Sequence, residues 1–282
     1  MNLTFEVCVD SAEAAMAAEE GGAHRVELCS SLLEGGLTPS HGTLRVARER
    51  LRIGIMAMVR PRGGDFCYTD TEFAVMREDL LAAKSLGVNG VVFGLLNPEG
   101  TIDRDRTGEL IALARPLPVT FHRAFDMTRD PFEALETLIG LGVERVLTSG
   151  QEPTVLEGLD LIVELVTRAA GRIIVMPGGG ITERTAARIA PVCGASELHF
   201  ASLEPREGRM LYRNPRVFMG GTLRPPEYAR DVTRPASVAA VIAAAGGGAG
   251  VSGQRGSPIS DRQSPAPSAP VPRPVSSSGR PG

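Results

Sequence analysis

The chain has 282 residues, of which 43% are hydrophobic and 22% charged, and its formal net charge at pH 7 is −3. This composition is typical of a soluble globular domain whose core needs no disulfide or metal staple. The slightly acidic balance, the absence of Trp and an aromatic content of only 4% argue against a basic, base-stacking surface, so we expect no nucleic-acid partner.

We also expect neither a membrane span nor an export signal. No apolar run reaches the roughly 18 residues of a membrane span, so we expect no membrane partner. Met1 leads within a few residues into the first predicted strand, without the basic segment and apolar stretch of a signal peptide. We therefore expect a cytoplasmic protein. In that reducing compartment the cysteines, Cys8, Cys29, Cys67 and Cys193, are expected to be thiols.

Strand and helix patterns alternate along the chain with short connections. Short Val- and Ile-rich segments bounded by Gly, Pro or charged residues predict strands at 4–9, 25–29, 53–59, 89–94, 118–123, 144–148, 172–176 and 197–201. Apolar residues at helical spacing predict helices at 11–20, 40–50, 71–86, 104–114, 131–140, 155–170, 183–190 and 235–245.

The alternation contains a repeat that indicates the fold. GGAHRVELCS, LGVNGVVFG and LGVERVLTSG each join a helix-ending glycine to a strand. Eight such units over residues 1–245 predict one TIM (β/α)8 barrel domain with parallel strands. An open doubly wound sheet would usually show a glycine-rich fingerprint after its first strand, and none is present. Residues 246–282 are rich in Gly, Pro and Ser and predict a disordered tail.

The unusual polar residues collect at the predicted C-terminal ends of the strands, where TIM barrels build their active sites. They are Cys8, Asp10, Cys29, Ser30, Arg60, Arg62, His122, Arg123, Asp126, Thr148, Ser149, Gly178, Gly179, Gly180 and His199. The sequence therefore predicts a functional site on this face.

Cys8 and Cys29 are predicted at similar depth on neighbouring strands, which lie about 4.8 Å apart. Paired thiolates are a soft ligand set that selects Cu(I) or zinc, and Met58 could add a thioether. The same pattern also fits two small buried hydrophobes. Glu6 and Glu27, two residues earlier, should point into the barrel, with Arg60 as an available partner. They are either a structural pair or acid–base groups.

Three further motifs each fit a ligand site or a structural role. In RPRGGDFCY, Arg60 and Arg62 suit a carboxylate or phosphate, or a loop salt-bridged to Asp65 or to helix termini.

In HRAFD, His122 could be a base, a ligand or a core histidine, and Asp126 could orient His122 or Arg123. In PGGGIT, Gly178, Gly179 and Gly180 could offer backbone N–H groups to phosphate or form a tight turn.

These motifs together resemble the CutC family of copper homeostasis proteins. The matching segments are EVCVDS, RVELCS, EGGLTPS, VRPRGGDFCY, GVVFG, LPVTFHRAFDMT, ERVLTSGQ and MPGGGIT, which span about residues 4–222. The resemblance implies a cytoplasmic TIM barrel, a link to copper tolerance, Cu(I) binding at Cys8 and Cys29, and a homo-oligomer. The chain departs from the family pattern after its last strand: His199 is kept, but Leu203 stands where an arginine is expected, which weakens an anion clamp there.

The sequence therefore leaves two functions open. The first is copper homeostasis through Cu(I) bound at Cys8 and Cys29. The second is an enzyme acting on a small anionic or phosphorylated metabolite at the same face. Its anion would be held by Arg60, Arg62, Arg123, Gly178, Gly179, Gly180 and His199, and its protons moved by His122 with Glu6, Glu27 or Asp126. A pure interaction scaffold explains neither the arginines nor the thiols.

Overall fold

The structure is a computed structural model, and it describes residues 3–218 and 226–246. Within these residues eight parallel strands form one sheet: β1 (Thr4–Val9), β2 (Arg25–Leu28), β3 (Gly54–Met58), β4 (Gly90–Phe93), β5 (Val119–Phe121), β6 (Arg145–Thr148), β7 (Ile174–Pro177) and β8 (Glu197–Phe200). The helices are α1 (Ala12–Glu20), α2 (His41–Arg50), α3 (Asp70–Ser85), α4 (Arg104–Ala114), α5 (Pro131–Leu141), α6 (Leu159–Ala169), α7 (Glu183–Cys193) and α8 (Pro235–Ala244).

The sheet closes into a barrel. Neighbouring strands follow the order β7-β6-β5-β4-β3-β2-β1-β8, and a parallel bridge between Gly178 and His199 joins the two ends. The predicted TIM barrel is confirmed, and each predicted strand overlaps an observed one. The predicted tail, 246–282, lies outside the described residues except for Gly246. In the part of the chain that the structure describes, no helix is long and apolar enough to cross a bilayer.

Two helix boundaries differ from the prediction by more than two residues. Helix α6 begins at Leu159 instead of residue 155, because Gly158 approaches the backbone of Ser149 and Gly150 so closely that a Cβ would lie 2.1 Å from the Ser149 oxygen. Helix α7 continues beyond residue 190 and ends at Gly194, which has a φ of 68°. That conformation favours glycine and stops a helix.

A hairpin after the barrel was not predicted. Strands β9 (Leu203–Glu207) and β10 (Ala229–Thr233) pair antiparallel, with Leu203 opposite Thr233. Both strands are short and mostly exposed, so they lack the buried apolar alternation on which strand prediction depends.

A layer of paired charges fills part of the barrel interior. Arg25 on β2 contacts the carboxylates of Glu6 and Glu197, and Arg145 on β6 donates to Glu197 at 2.5 and 3.1 Å. Arg145 also donates to Thr120 at 3.3 Å. Buried charges are tolerated when they are paired and hydrogen-bonded, and this network meets that requirement.

The packing of α1 against α8 gives a stability prediction. Gly21, which ends α1, has a φ of −75°, but a Cβ there would lie 2.6 Å from both Val238 Cβ and the Pro235 oxygen. We expect Gly21→Ala to lower the free energy of unfolding by about 1–3 kcal/mol, as overpacking does. Gly140→Ala is the control, since a Cβ at Gly140 in α5 meets nothing within 4 Å. It should stabilise by about 0.5 kcal/mol. Urea unfolding measures both, and equal effects would contradict the close contact.

Candidate functional site

A group of buried titratable side chains lies at the junction of β8, β1 and β2. It consists of Cys8, Glu27, Cys29 and His199, and we call it the thiol cluster. Cys8 Sγ lies 4.0 Å from Cys29 Sγ and 3.2 Å from Glu27 Oε2, and Cys29 Sγ lies 3.5 Å from the same oxygen. All four residues are buried. The two predicted thiols are therefore neighbours.

The strand register places them differently from the prediction. Cys8 lies level with Glu27, and Glu6 lies level with Arg25. The sequence argument put the two cysteines at one depth and the two carboxylates at another. The stagger between β1 and β2 instead brings a carboxyl group of one strand beside the thiol of the other.

His199 connects the thiol cluster to the charged layer below it. Its Nδ1 lies 2.8 Å from Glu6 Oε1, and its Nε2 lies 3.8 Å from Glu27 Oε2. Burial raises the pKa of Glu6, but the hydrogen bond with His199 and the charge of Arg25 outweigh it and lower the pKa to about 2. Glu6 is therefore a carboxylate held by Arg25 and His199.

The thiols have opposite proton affinities. The hydrogen bond from Cys29 favours the thiolate of Cys8 and lowers its pKa to about 5, against the effect of burial. The same hydrogen bond, together with burial, raises the pKa of Cys29 well above its usual value. Cys29 therefore stays protonated, and its S–H group donates a hydrogen bond to the Cys8 thiolate.

The remaining two groups follow the charge on Cys8. Burial, and then the Cys8 charge, raise the pKa of Glu27 well above its usual value. Burial alone would lower the pKa of His199, but the charge of Glu27 and hydrogen bonds to Cys8 and Glu6 raise it well above the ordinary range. The cluster thus favours a thiolate at Cys8 and a proton on His199, and Glu27 holds its proton more tightly than a free carboxyl group does.

The side chains offer a ligand set for a metal ion. Cys8 Sγ, a Glu27 oxygen and a His199 ring nitrogen all lie within 4.8 Å of one another. Glu27 Oε1 is buried and has no hydrogen-bond partner. Met58 belongs to the apolar wall beside the thiols, and a Cβ at Gly36 would lie 3.0 Å from Cys29 Sγ and 3.5 Å from Met58 Cε. The loop around Gly36 therefore covers the Cys29 sulfur.

Arg60 does not contact the buried glutamates, so that predicted partnership is wrong. Its terminal nitrogens donate to backbone oxygens of Glu34 at 2.6 Å, Gly36 at 3.0 Å and Gly64 at 3.2 Å. Glu6 instead pairs with Arg25, which lies level with it on the neighbouring strand.

Arg62 takes the structural role that the sequence left open. It donates to Glu72 at 2.6 Å and to Asp65 at 3.1 Å, and it also binds backbone oxygens of its own loop. Its two carboxylate partners already supply the opposite charge that a bound anion would bring.

His122 is a buried neutral histidine. Burial and the charge of Arg60 lower its pKa to about 3, and its Nδ1 accepts a hydrogen bond from the Ala124 N–H at 3.2 Å. Asp126 orients Arg123 rather than His122: it accepts from Arg123 Nε at 2.8 Å and from Ser149 Oγ at 2.9 Å.

The glycines after β7 serve close packing. Gly178 forms the bridge to His199, and a Cβ there would lie 2.5 Å from Leu147 Cδ1. Gly179 and Gly180 have φ values of 123° and 72°, which favour glycine. A Cβ at Gly179 would also lie 3.4 Å from the Arg123 guanidinium. The tight turn is present, and anion binding there stays a prediction.

Sequence reasoning missed Arg25 and assigned His199 to anion binding instead of to the thiols. A signal for Arg25 was available, because Arg25, Glu27 and Cys29 alternate along one face of β2. His199 could be placed beside Cys8 only once the β8–β1 register was known.

Comparisons with known proteins agree with this fold and identify a family. The CutC family model matches residues 3–204. A mouse protein named copper homeostasis protein cutC homolog is 54% identical over 229 residues, covering 81% of this chain and 84% of the relative. A CutC family protein of Mesorhizobium japonicum is 52% identical over 241 residues, covering 86% and 93%.

Solved structures give the same result. A Streptococcus agalactiae structure that carries the CutC name matches with a TM-score of 0.68 at 33% identity, covering 70% of this chain and 98% of that one. Phosphoribosylanthranilate isomerase from Thermotoga maritima matches at 14% identity with a TM-score of 0.53, covering 87% and 99%, which shows the shared barrel fold alone.

Fold and site define a TIM-barrel protein with a buried cysteine, histidine and glutamate centre at its mouth. The chain belongs to the CutC family.

The hydrogen bond between the thiols predicts how Cys8 titrates. The ultraviolet absorbance of the wild-type thiolate should show a step near pH 5 that Cys8→Ser removes. Cys29→Ala should move this step to higher pH, while Cys29→Ser, which keeps a donor, should move it less. Cys67→Ser is the control, since Cys67 is exposed and outside the cluster. A step unchanged in Cys29→Ala would refute the donor role.

The pairing of Glu6 predicts a pH dependence of stability. Because its pKa falls from 4.5 to about 2 in the fold, the stabilisation is complete above about pH 4.5 and disappears as pH falls towards 2. Glu6→Gln should cost about 3 kcal/mol at pH 7 and flatten the stability profile in that window. Glu164→Gln, in an exposed pair with Arg168, should change stability by less than about 0.5 kcal/mol. Acid-range urea titrations test this, and parallel profiles for wild type and Glu6→Gln would contradict it.

Proposed function

We propose that this protein serves copper homeostasis in the cytoplasm by holding a copper ion as Cu(I) at the thiol cluster. The observation that carries the proposal is the 4.0 Å separation of the buried Cys8 and Cys29 sulfur atoms. Two sulfurs bound tetrahedrally to one ion at about 2.3 Å would lie roughly 3.8 Å apart. Little movement is therefore needed for both sulfurs to bind one ion.

The chemistry of the donors supports the choice of metal. Thiolate and thioether sulfur select Cu(I), and imidazole is an accepted copper ligand. Cys8 is ionised at neutral pH, so one thiolate is available before metal binds. Cys29 and His199 would lose their protons on binding, and the affinity should therefore rise with pH. The names of the relatives from mouse and human, which call them copper homeostasis proteins, agree with this proposal.

An anaerobic Cu(I) competition titration tests the proposal. Wild type should bind one ion, and Cys8→Ala and Cys29→Ala should each weaken binding by at least about 100-fold. Cys193→Ala is a matched control, because Cys193 is also buried but lies at the end of α7. Binding that survives both cluster substitutions, or that falls equally in Cys193→Ala, would reject the site.

A second candidate function is an enzyme that moves protons at the same place. A thiol, an imidazole and two carboxyl groups form a connected chain of contacts at the end of a TIM barrel where active sites form. Screening small anionic metabolites for turnover, with His199→Gln as the inactive variant, separates this function from copper binding. Turnover unaffected by His199→Gln would place the chemistry elsewhere.

A further inference from the structure

Arg60 is a buried cation without an acidic partner. Its residue is 5% exposed, and its two terminal nitrogens donate to neutral backbone oxygens. Among the described residues no carboxylate lies within 4.0 Å of it. Arginines this deeply buried are rare unless they are paired with an opposite charge. The positive charge of Arg60 therefore has no negatively charged partner among the described residues.

Two neighbouring side chains also have polar atoms with nothing to bind. Arg60 Nε, Tyr68 Oη and His122 Nε2 are all shielded from solvent, and none has a hydrogen-bond partner. Leaving a buried polar group unsatisfied costs about 1–3 kcal/mol. Three such atoms in one neighbourhood indicate a missing ligand more strongly than any one of them does.

The three atoms share one chemical character. His122 Nδ1 accepts a hydrogen bond from the Ala124 N–H, so the proton of the neutral ring is on Nε2. Nε2 is therefore a donor, as Arg60 Nε is and as the Tyr68 hydroxyl can be. Three donors without an acceptor suit an oxygen that carries negative charge.

Arg60 links the other two donors: it lies with His122 beside one aromatic ring, and its charge acts on Tyr68. The Arg60 guanidinium lies 5.1 Å from the centre of the Phe66 ring, and the Phe66 and His122 rings are 5.0 Å apart. The Arg60 charge acts on both partners, lowering the pKa of His122 after burial has done so and opposing the effect of burial on Tyr68. Arg60 follows β3, His122 follows β5 and Tyr68 precedes α3, so all three lie at the C-terminal end of the barrel.

We propose that Arg60, Tyr68 and His122 form an oxyanion pocket that binds the carboxylate or phosphate group of a small metabolite. Arg60 also binds the Gly36 oxygen, and Gly36 lies against Cys29, so the pocket and the thiol cluster share a covering loop. Anion binding here does not depend on copper. The proposal rests on the second candidate function, because it names a small carboxylate or phosphate compound as the substrate class of that enzyme.

Arg62 and Arg123 do not belong to the pocket. Arg62 pairs with Glu72 and Asp65, and Arg123 pairs with Asp126. The Arg62 guanidinium lies 5.0 Å from the centre of the Tyr68 ring, so a substitution there would disturb the pocket. Arg45→Gln, in an exposed pair with Glu49 on α2, is the control for the loss of a positive charge.

Thermal unfolding of the full chain at constant ionic strength tests the pocket. Phosphate, acetate and malonate are compared with chloride, because a ligand of the native state raises Tm by mass action. At least one oxyanion should raise the Tm of wild type, and whether phosphate or a carboxylate does so identifies the source. Calorimetric titration then gives its Kd.

The variants decide the assignment. Tyr68→Phe and His122→Gln should each weaken oxyanion binding by about 10-fold or more, the cost of one charge-assisted hydrogen bond. Without added anion, Tyr68→Phe should unfold no more easily than wild type, since it removes an unsatisfied hydroxyl. Arg45→Gln should keep the wild-type affinity. Cys8→Ala should also keep it while losing copper, so failure of copper binding and failure of the pocket are told apart.

The proposal is overturned if no oxyanion raises Tm or releases heat with wild type. It is also overturned if Tyr68→Phe and His122→Gln bind the oxyanion as tightly as wild type does.

Discussion

The free-energy cost of burying charged groups inside a barrel determines which side chains pair in this protein. A barrel interior is shielded from water, so every ionised group there needs a partner or must lose its charge. Arg25 meets Glu6 on the neighbouring strand, and Arg25 and Arg145 both meet Glu197 on the last strand of the barrel. This layer also fixes the position of His199, because Glu6 binds the imidazole from below.

The same constraint sets the protonation of the thiol cluster above. His199 brings a positive charge, and Cys8 is the group that ionises against it. Burial and the Cys8 thiolate raise the pKa of Glu27, and the hydrogen bond to Cys8 raises that of Cys29, so both hold their protons more tightly than in water. A cation entering the cluster would replace the imidazolium and those protons as the source of positive charge. Metal binding and proton chemistry thus draw on the same few groups.

The sequence predicted the barrel because short apolar strands alternate eight times with helical segments, and three of the junctions share a helix-ending glycine. It also predicted that Cys8 and Cys29 would meet, since alternation along a strand assigns side chains to a face. It could not predict the stagger between strands, which decides that Cys8 lies beside Glu27 and that Glu6 meets Arg25 instead of Arg60. The backbone oxygens that bind Arg60 could not be predicted either, because a pattern of side chains carries no information about backbone hydrogen bonds.

The place where the barrel closes has a mechanical consequence. Gly178 and His199 form an isolated bridge between β7 and β8, whereas four residue pairs join β8 to β1 and four join β1 to β2. The thiol cluster lies wholly on the well-paired side of this seam. Local opening between β7 and β8 would carry away the glycine turn and leave the sulfur atoms, His199 and Glu27 together. Backbone amide hydrogen exchange should therefore be faster at the seam than in the strands that hold the cluster. The cluster stays intact while β7 and β8 open locally.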